Sequence, residues 1–281
     1  MTTRLTKFDH EGYRFDVCDS GPVTGPVIIA LHGFPQLGSC WAAVTPPLTA
    51  AGYRVLAPDQ RGYSPRARPR SIRAYTTEHL AADVLALAEA AGTDTFHLLG
   101  HDWGAAVAWL IASEYPNKVR TLTAVSVPHP AAFRAALAGT QLIRSLYMLF
   151  FQIPALPEYA LRVGNGGFLR WAMTSTGSTY TDDAVRLMAD PRAATAALNW
   201  YRALRFSFGF RPAKVHVPTL YVWSDRDVAL GRRGATGTQK WVDGPYQFTT
   251  LAGVSHWIPQ ERPNELAELI LAHLAEYGDR L

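Results

Sequence analysis

Residues 96–110, FHLLGHDWGAAVAWL, are the stretch that decides the fold of this chain. A short apolar segment leads into the turn GHDWG at residues 100–104, and a helical pattern follows it. This spacing, with small residues on either side of a central polar one, is typical of a strained strand-to-helix turn that exposes its central side chain as a nucleophile. The two glycines allow the tight backbone and the close approach of strand and helix that such a turn needs.

The central residue of this turn is Asp102, where many such turns carry serine. A carboxylate is already ionised at neutral pH, so it attacks without the help of a base. It is suited to displacement at a saturated carbon, which gives an alkyl ester that water must then cleave. Because aspartate is also a favoured helix N-cap, capping of the helix that begins near Trp103 is the alternative interpretation.

The composition is that of a globular enzyme. Hydrophobic residues make up 48% and charged residues 18% of the 281 positions, and this length suits one large α/β domain or a core domain with an insertion. The net charge is +4, and the positively charged residues are scattered along the chain. We therefore expect a solvated surface and no nucleic-acid partner. No apolar run of about 18 residues occurs, so no membrane span is expected.

The two cysteines, Cys18 and Cys40, do not have the spacing of a metal site. They are most simply two reduced thiols, and the first residues lack the apolar core of a signal peptide. We therefore expect a cytoplasmic protein, either a monomer or a homodimer. No motif for a metal or an organic cofactor is visible, and we expect neither.

Strand and helix patterns alternate from residue 27 to residue 125, which predicts a mostly parallel, doubly wound α/β sheet. The predicted strands are a hairpin of 3–9 and 12–18, then 27–31, 53–57, 95–99, 119–125, 220–223 and 247–251, and the predicted helices include 40–51, 77–91 and 264–277. Residues 131–215 show only helical periodicity. We therefore predict a core of residues 1–129 and 216–281 with a helical cap at 130–215, above the strand ends where open α/β sheets bind ligands.

The partners that a carboxylate nucleophile needs occur later in the chain, in the expected order. His256 follows the last predicted strand and is a candidate base for activating water. Asp225 and Asp227 follow the preceding strand, and either can orient this histidine. The backbone amides of Trp103 and of Phe34, in the HGFP turn, are the expected oxyanion hole.

With these residues in place, the chain resembles the α/β-hydrolase superfamily and, within it, the epoxide hydrolases. The matching segments are HGFP at 32–35, DQRGYSPR at 59–66, GHDWGAAVAW at 100–109, VSVPHP at 125–130, NWYR at 199–202, SDRDVAL at 224–230 and GVSHWIPQERP at 253–263. The resemblance implies that Asp102 is the nucleophile, Asp227 the acid and His256 the base. It also implies that Phe34 contributes to the oxyanion hole and that the Phe34–Pro35 peptide bond is cis.

Two tyrosines favour the epoxide hydrolases within this superfamily. Epoxide opening develops an alkoxide, which a phenol can hydrogen-bond and protonate. Epoxide hydrolases similar to this chain carry one tyrosine ahead of a Phe-Gln-x-Pro run and one in an NWYR-like helix, which fall on Tyr147 and Tyr201. The alternative role for Tyr147 and for Tyr201 is to pack against other side chains within the cap. The resemblance implies conversion of a hydrophobic epoxide and water to a vicinal diol through an aspartyl ester.

Haloalkane dehalogenase, or another α/β-hydrolase with the same Asp-His-Asp triad, is the nearest alternative. Dehalogenases typically hold the halide with the tryptophan N–H and a second donor, often an asparagine directly after His-Gly, where this chain has Phe34. Fluoroacetate-type dehalogenases usually have arginine after the nucleophile, where this chain has Trp103. A serine-type esterase is disfavoured because Asp102 replaces the serine. An inactive ligand-binding protein on the same fold is disfavoured by the complete set of catalytic residue types.

Overall fold

The computed structural model describes residues 3–206 and 213–278. Within these residues, eight strands form a single sheet in the order β1-β2-β4-β3-β5-β6-β7-β8. The strands are β1 Lys7–His10, β2 Tyr13–Ser20, β3 Val27–Leu31, β4 Arg54–Pro58, β5 Phe96–His101, β6 Val119–Val125, β7 Thr219–Ser224 and β8 Tyr246–Leu251. Strands β3 to β8 are parallel, and β1 and β2 add antiparallel pairs at one edge. The predicted fold class is confirmed.

Helices connect the strands and cover both faces of the sheet. They are α1 Thr45–Ala50, α2 Thr77–Ala90, α3 Trp103–Glu114, α4 Pro130–Ala136, α5 Gln141–Arg144, α6 Leu146–Phe150, α7 Leu156–Ser175, α8 Asp182–Met188, α9 Pro191–Ala203, α10 Arg232–Gly237, α11 Ile258–Glu261 and α12 Pro263–Tyr277. Helix α7 is interrupted by non-helical backbone at residues 163–166.

Strand β3 shows why the central strands are apolar throughout. All five of its residues are buried. Ile28 and Ala30 belong to the core cluster that includes α1 and α12, whereas Ile29 and Leu31 belong to the cluster that includes α2 and α3. Successive side chains of a strand point to opposite faces, so a sheet covered on both faces needs apolar residues at every position.

Two of the predicted element boundaries are wrong. The predicted helix 40–51 is a short 3-10 turn at Gly38–Trp41 followed by α1. Pro46 and Pro47 lie in the first turn of α1, because a residue without a backbone N–H is tolerated only there. The predicted strand 3–9 begins only at Lys7. The sequence patterns did not predict α10 or α11.

Between β6 and β7 the α-helices of the described residues are α4 to α9, followed by a 3-10 turn at Leu204–Phe206. The only strand pairing among these described residues is a single bridge between Val215 and Val242. Residues 207–212 of the predicted cap, and residues 1–2 and 279–281 of the predicted core, lie outside the described residues. Helix α4 packs against α10, and α9 packs over the chain at residues 72–75. In the part of the chain that the structure describes, no helix combines the length and the hydropathy needed to span a bilayer.

Candidate active site

Asp102 lies between the end of β5 and the start of α3, with φ 51° and ψ −122°. This is a strained conformation for a residue with a side chain, and such strain concentrates at functional sites. Gly104 is required here, because a Cβ at that position would collide with the carbonyl oxygen of Leu31. Asp102 occupies the N-cap position of α3, and its backbone carbonyl accepts the amides of Ala105 and Ala106. Its side chain makes no helix-capping hydrogen bond, so capping does not account for the carboxylate.

The loop after β3 meets the carboxylate of Asp102 from one side. A Cβ on Gly33 would collide with this carboxylate, so glycine permits the close approach. The Phe34 N–H donates to Asp102 Oδ1 over 2.8 Å. The adjacent backbone N–H of Trp103 faces the carboxylate and lowers the pKa of Asp102. The structure therefore brings together the two amides predicted for the oxyanion hole. The Phe34–Pro35 bond is cis, as the resemblance implied.

His256 approaches the same carboxylate from the other side. Its Nε2 lies 3.5 Å from Asp102 Oδ2, and its Nδ1 lies 2.8 Å from Asp227 Oδ2. The second oxygen of Asp227 accepts hydrogen bonds of 2.8 Å from the amides of Ala229 and Leu230. All three side chains of the predicted triad are buried. The imidazole of His256 is thus held between the carboxylates of Asp102 and Asp227, and backbone amides of its own loop fix the carboxylate of Asp227.

Asp225 has a different environment from Asp227. Its Oδ1 accepts the N–H of Gly253 over 2.7 Å, which joins the loops after β7 and β8. Residue type and position left two candidate acids, of which the resemblance favoured Asp227, and only Asp227 lies against the imidazole of His256. Both loops lie at the carboxyl ends of parallel strands, where open α/β sheets assemble their sites.

The two carboxylates and the imidazole shift one another's protonation. Burial by itself would lower the pKa of His256, but the charge of Asp227 and the hydrogen bonds to Asp102 and Asp227 raise this pKa to about 10. Burial would likewise raise the pKa of Asp102, but the hydrogen bond and the charge of His256 hold it below its ordinary value. At neutral pH the pair is therefore an imidazolium beside an ionised carboxylate.

The two predicted phenols also lie at this site. Tyr201, on α9, is 3% exposed, and its ring packs edge-on against Trp103 at 5.1 Å and Phe34 at 5.4 Å between centroids. Tyr147, on α6, is 39% exposed, and its ring centroid lies 6.0 Å from that of Tyr201. Phe151 contacts both tyrosine rings. Aromatic side chains thus pack around Phe34 and Trp103, the two residues predicted to form the oxyanion hole.

Both phenols are neutral donors at any physiological pH. Although 39% of Tyr147 is exposed, burial of its hydroxyl end raises the pKa of this residue. The charges of Asp102 and Asp227 raise this pKa further, and a hydrogen bond with Tyr201 offsets part of the rise. Burial also raises the pKa of Tyr201, with added contributions from Tyr147 and Asp102. A phenol that keeps its proton can give a hydrogen bond to an oxygen that becomes negative.

Sequence reasoning missed several residues that hold this site. The backbone carbonyl of His256 accepts from His101 Nε2 at 2.9 Å and from the hydroxyl of Ser126 at 3.0 Å. Arg144, on α5, donates to the carbonyls of Asp227 and Val228 over 2.7 and 2.9 Å. The first two residues lie in the quoted GHDWG and VSVPHP motifs, so a signal existed. No local pattern marks Arg144, because its partners are far away in the sequence.

A family model described as the alpha/beta hydrolase fold matches residues 26–263. The chain belongs to the α/β-hydrolase fold family. An AB hydrolase superfamily protein of Bacillus subtilis, YfhM, is 36% identical over 273 residues, covering 94% of this chain and 95% of that protein. Epoxide hydrolase A of Mycobacterium tuberculosis is 31% identical and covers 97% of both chains.

Solved structures agree with this assignment to the α/β-hydrolases. A structure described under novel epoxide hydrolases from metagenomes of hot environments superimposes with a TM-score of 0.87 at 29% identity. It covers 99% of this chain and 100% of its own. The resemblance to epoxide hydrolases of the α/β-hydrolase superfamily, inferred from the motifs, is therefore confirmed. Among the residues described here, no group of three or more His, Cys, Asp or Glu side chains is arranged to hold a metal ion.

Proposed function

We propose that this α/β-hydrolase is an epoxide hydrolase that converts a hydrophobic epoxide and water to a vicinal diol through a covalent ester on Asp102. The observation that carries the proposal is the arrangement of two neutral phenols, Tyr147 and Tyr201, at the carboxylate that faces His256. The names and the similarity of the epoxide hydrolase relatives support it. We further propose that residues 130–215 act as the cap that carries both phenols.

In the first step, Asp102 Oδ2 attacks a ring carbon and the carbon–oxygen bond of the epoxide breaks. The departing oxygen takes a proton from Tyr147 or Tyr201, which leaves an ester, a hydroxyl group and a tyrosinate. Ester formation removes the negative charge of Asp102, and this charge is one of the causes that raise the pKa of His256. The imidazolium then returns the missing proton to the tyrosinate and becomes a neutral base.

In the second step, neutral His256, oriented by Asp227, takes a proton from water as the water oxygen attacks the ester carbonyl carbon. The amides of Phe34 and Trp103 stabilise the oxyanion that forms at Oδ1. Collapse of the tetrahedral intermediate breaks its bond to the alkyl oxygen, and the departing alkoxide takes the remaining water proton from the new carboxyl group. The diol leaves, and Asp102 is again ionised beside the imidazolium of His256. Protons balance over the cycle, since one epoxide and one water give one diol.

The test is to trap the ester. Replacing His256 with Gln removes the base of the second step, so an alkyl-enzyme is expected to accumulate as an intact-protein mass increase equal to the epoxide. The same variant combined with Asp102→Asn should show no mass increase. In a single turnover of the parent enzyme in 18O-labelled water, the diol should contain no solvent oxygen, since its new oxygen comes from Asp102. Solvent label in that first diol would overturn the proposal.

The assignment of the acid has a matched control within the same loop. Asp227→Asn should slow ester hydrolysis strongly, because it removes the charge beside His256 Nδ1. Asp225→Asn changes a neighbouring carboxylate that bonds only the Gly253 amide among the hydrogen bonds seen here, and it should be mild. The opposite order would overturn the role of Asp227. Halide release from bromoalkanes faster than diol formation from epoxides would instead favour the dehalogenase alternative.

A further inference from the structure

The exposed large hydrophobic side chains of this protein are concentrated in one segment. Among the described residues there are fourteen of them, and twelve lie between residues 142 and 180, on α5 to α7 and the turn that follows. The most exposed are Ile143 at 70%, Tyr159 at 65% and Leu149 at 64%, with Trp171 and Tyr180 at 63% each. We call these exposed hydrophobic residues of 142–180 the cap face. Apolar exposure on this scale marks a surface that contacts protein or lipid.

The charged residues of the same part of the chain are of one sign. The exposed charged residues between positions 131 and 180 are Arg134, Arg144, Arg162 and Arg170. The sole acidic residue in this stretch, Glu158, is buried in an ion pair with Arg202. Asp182 and Asp183, just beyond the stretch, pair with Arg170 and Arg186. The segment that carries the cap face is therefore apolar and aromatic, and its exposed charged residues within 131–180 are all arginines.

We propose that the cap face docks on the surface of an anionic lipid bilayer. Leucine, isoleucine and aromatic side chains insert to the level of the lipid headgroups, and arginines beside them bind the lipid phosphates. Each arginine near such a surface strengthens binding by about fivefold, which is the equivalent of about 1 kcal/mol. The protein would lie on the bilayer and not cross it, consistent with the lack of a spanning helix among the described residues.

A second copy of the chain fits this surface less well. A twofold dimer uses the same patch on both subunits, so the cap face would meet itself. Arginines would then face arginines without an exposed carboxylate from residues 131–180 to separate them, and like charges across an interface oppose association. An anionic bilayer supplies the missing negative charge together with an apolar layer.

The cap face and the candidate active site share one residue. Tyr147 is among the exposed hydrophobic residues of the face, and its ring also lies beside Tyr201. Docking would therefore bring the bilayer next to the site, where a hydrophobic epoxide dissolved in the lipid can enter. This last link rests on the proposed function, whereas the docking itself does not depend on which reaction the site performs.

The test is sedimentation of the full-length protein with lipid vesicles. Parent protein should bind vesicles of phosphatidylglycerol and phosphatidylcholine, should bind pure phosphatidylcholine at least tenfold more weakly, and should dissociate at high salt. The double variant Ile143→Glu, Leu149→Glu should bind the anionic vesicles at least tenfold more weakly. Arg162→Gln should weaken binding about fivefold. Tyr115→Glu, an exposed aromatic outside the cap face, is the matched control and should bind like the parent.

A second measurement identifies the inserted residue. Lipids brominated near the headgroup should quench the tryptophan fluorescence of the parent protein, and Trp171→Phe should remove most of that quenching while circular dichroism shows the same fold. Failure of the parent to bind anionic vesicles overturns the proposal. So does unchanged binding by the double variant. Light scattering that shows a dimer, dissociated by the double variant, together with no vesicle binding would assign the cap face to a second copy instead. None of these results depends on epoxide turnover.

Discussion

The two phenols of the proposed site stand on helices that differ sharply in burial. Helix α9, with Tyr201, has ten of its 13 residues buried. Helix α6, with Tyr147, has none. One phenol is therefore held by a buried helix and the other by an exposed helix. The difference shows which contacts fix the position of each phenol.

Helix α9 is fixed directly to the core. The indole N–H of Trp200 donates to the carbonyl of Arg61 over 2.8 Å, and the side chain of Asp190, which caps the helix, pairs with Arg68 at 2.6 Å. Arg61 and Arg68 lie in the loop after β4, so these bonds join the helix to the α/β core. The position of Tyr201 follows from this docking.

Helix α6 is fixed mainly through α9. Arg202 donates to the carbonyls of Phe151 and Ile153, just after α6, and pairs with Glu158 on α7. The amide of Gln152 donates to the carbonyl of Tyr201 over 3.1 Å. The position of Tyr147 thus depends on hydrogen bonds from Arg202, the residue next to Tyr201, because no residue of α6 is itself buried. Removing these bonds should move Tyr147 and leave Tyr201 in place.

Removal of both phenols should have the largest effect. The double variant Tyr147→Phe, Tyr201→Phe keeps the ring packing and loses both proton donors, so the rate of ester formation should fall by about 10²–10⁴-fold. Each single variant should lose only part of this factor, because the remaining phenol still donates. Rapid-mixing measurement of a single turnover checks the rates. Tyr159→Phe, an exposed tyrosine of the same segment, serves as the control and should be unchanged. Full activity of the double variant would contradict the role of the phenols.

Loss of Arg202 should come next. Arg202→Met leaves the buried carboxylate of Glu158 without its partner, which typically costs about 3–5 kcal/mol in the free energy of unfolding. Burial by itself would raise the pKa of Glu158, and the hydrogen bond from Arg202 keeps it below its ordinary value, so the pair is ionised in the folded protein. Urea denaturation measures the loss, and adding Glu158→Gln should recover part of it.

The exposed pair of Arg170 and Asp182 provides the comparison for this prediction. Arg170→Met should cost less than about 1 kcal/mol, because solvent screens such pairs. In the Arg202 variant, kcat should also fall more than the affinity for substrate, and Arg202→Lys should restore part of kcat. Equal costs for the two arginine substitutions would contradict the idea that α6 is held through α9.

The cap of α9 should have an intermediate effect. Asp190→Ala removes the acceptor for the Arg192 amide at the start of the helix, and such a loss costs about 1 kcal/mol. Hydrogen exchange should quicken in the first turn of α9. Asp183→Ala, an exposed aspartate in the first turn of α8, should stay within about 0.5 kcal/mol of the parent. No change at Asp190 would argue that packing alone places α9.

Substitution on the exposed side of α6 should have the smallest effect. Leu149→Ser should change the free energy of unfolding by less than about 0.5 kcal/mol, because the side chain is already 64% exposed. Leu198→Ala on α9, where the side chain is fully buried, should cost about 2–5 kcal/mol. Thermal melting of both variants compares the two helices directly. A large loss for Leu149→Ser would mean that α6 is more firmly packed than its burial indicates.

The sequence by itself determined the fold class and the position of the candidate nucleophile, Asp102. Alternating strand and helix periodicity is a local property, and so are the glycines around Asp102, so both can be read without knowing which strands are neighbours. The same local logic placed His256 after the last strand and Tyr147 and Tyr201 in helical segments. The prediction of a helix at 40–51 was wrong, because Pro46 and Pro47 are tolerated only in the first turn of a helix and α1 therefore begins at Thr45.

Only the tertiary structure decided which of these residues meet. Residue type and position left both Asp225 and Asp227 open, and the resemblance to epoxide hydrolases favoured Asp227. The conformation of the loop after β7 brings only Asp227 to His256, while Asp225 accepts the Gly253 amide. The sequence also did not predict the ion pair of Arg202 with Glu158 or the exposure of Tyr147. Each depends on distances between residues far apart in the chain, and these distances are fixed by strand order and helix packing, which local periodicity does not encode.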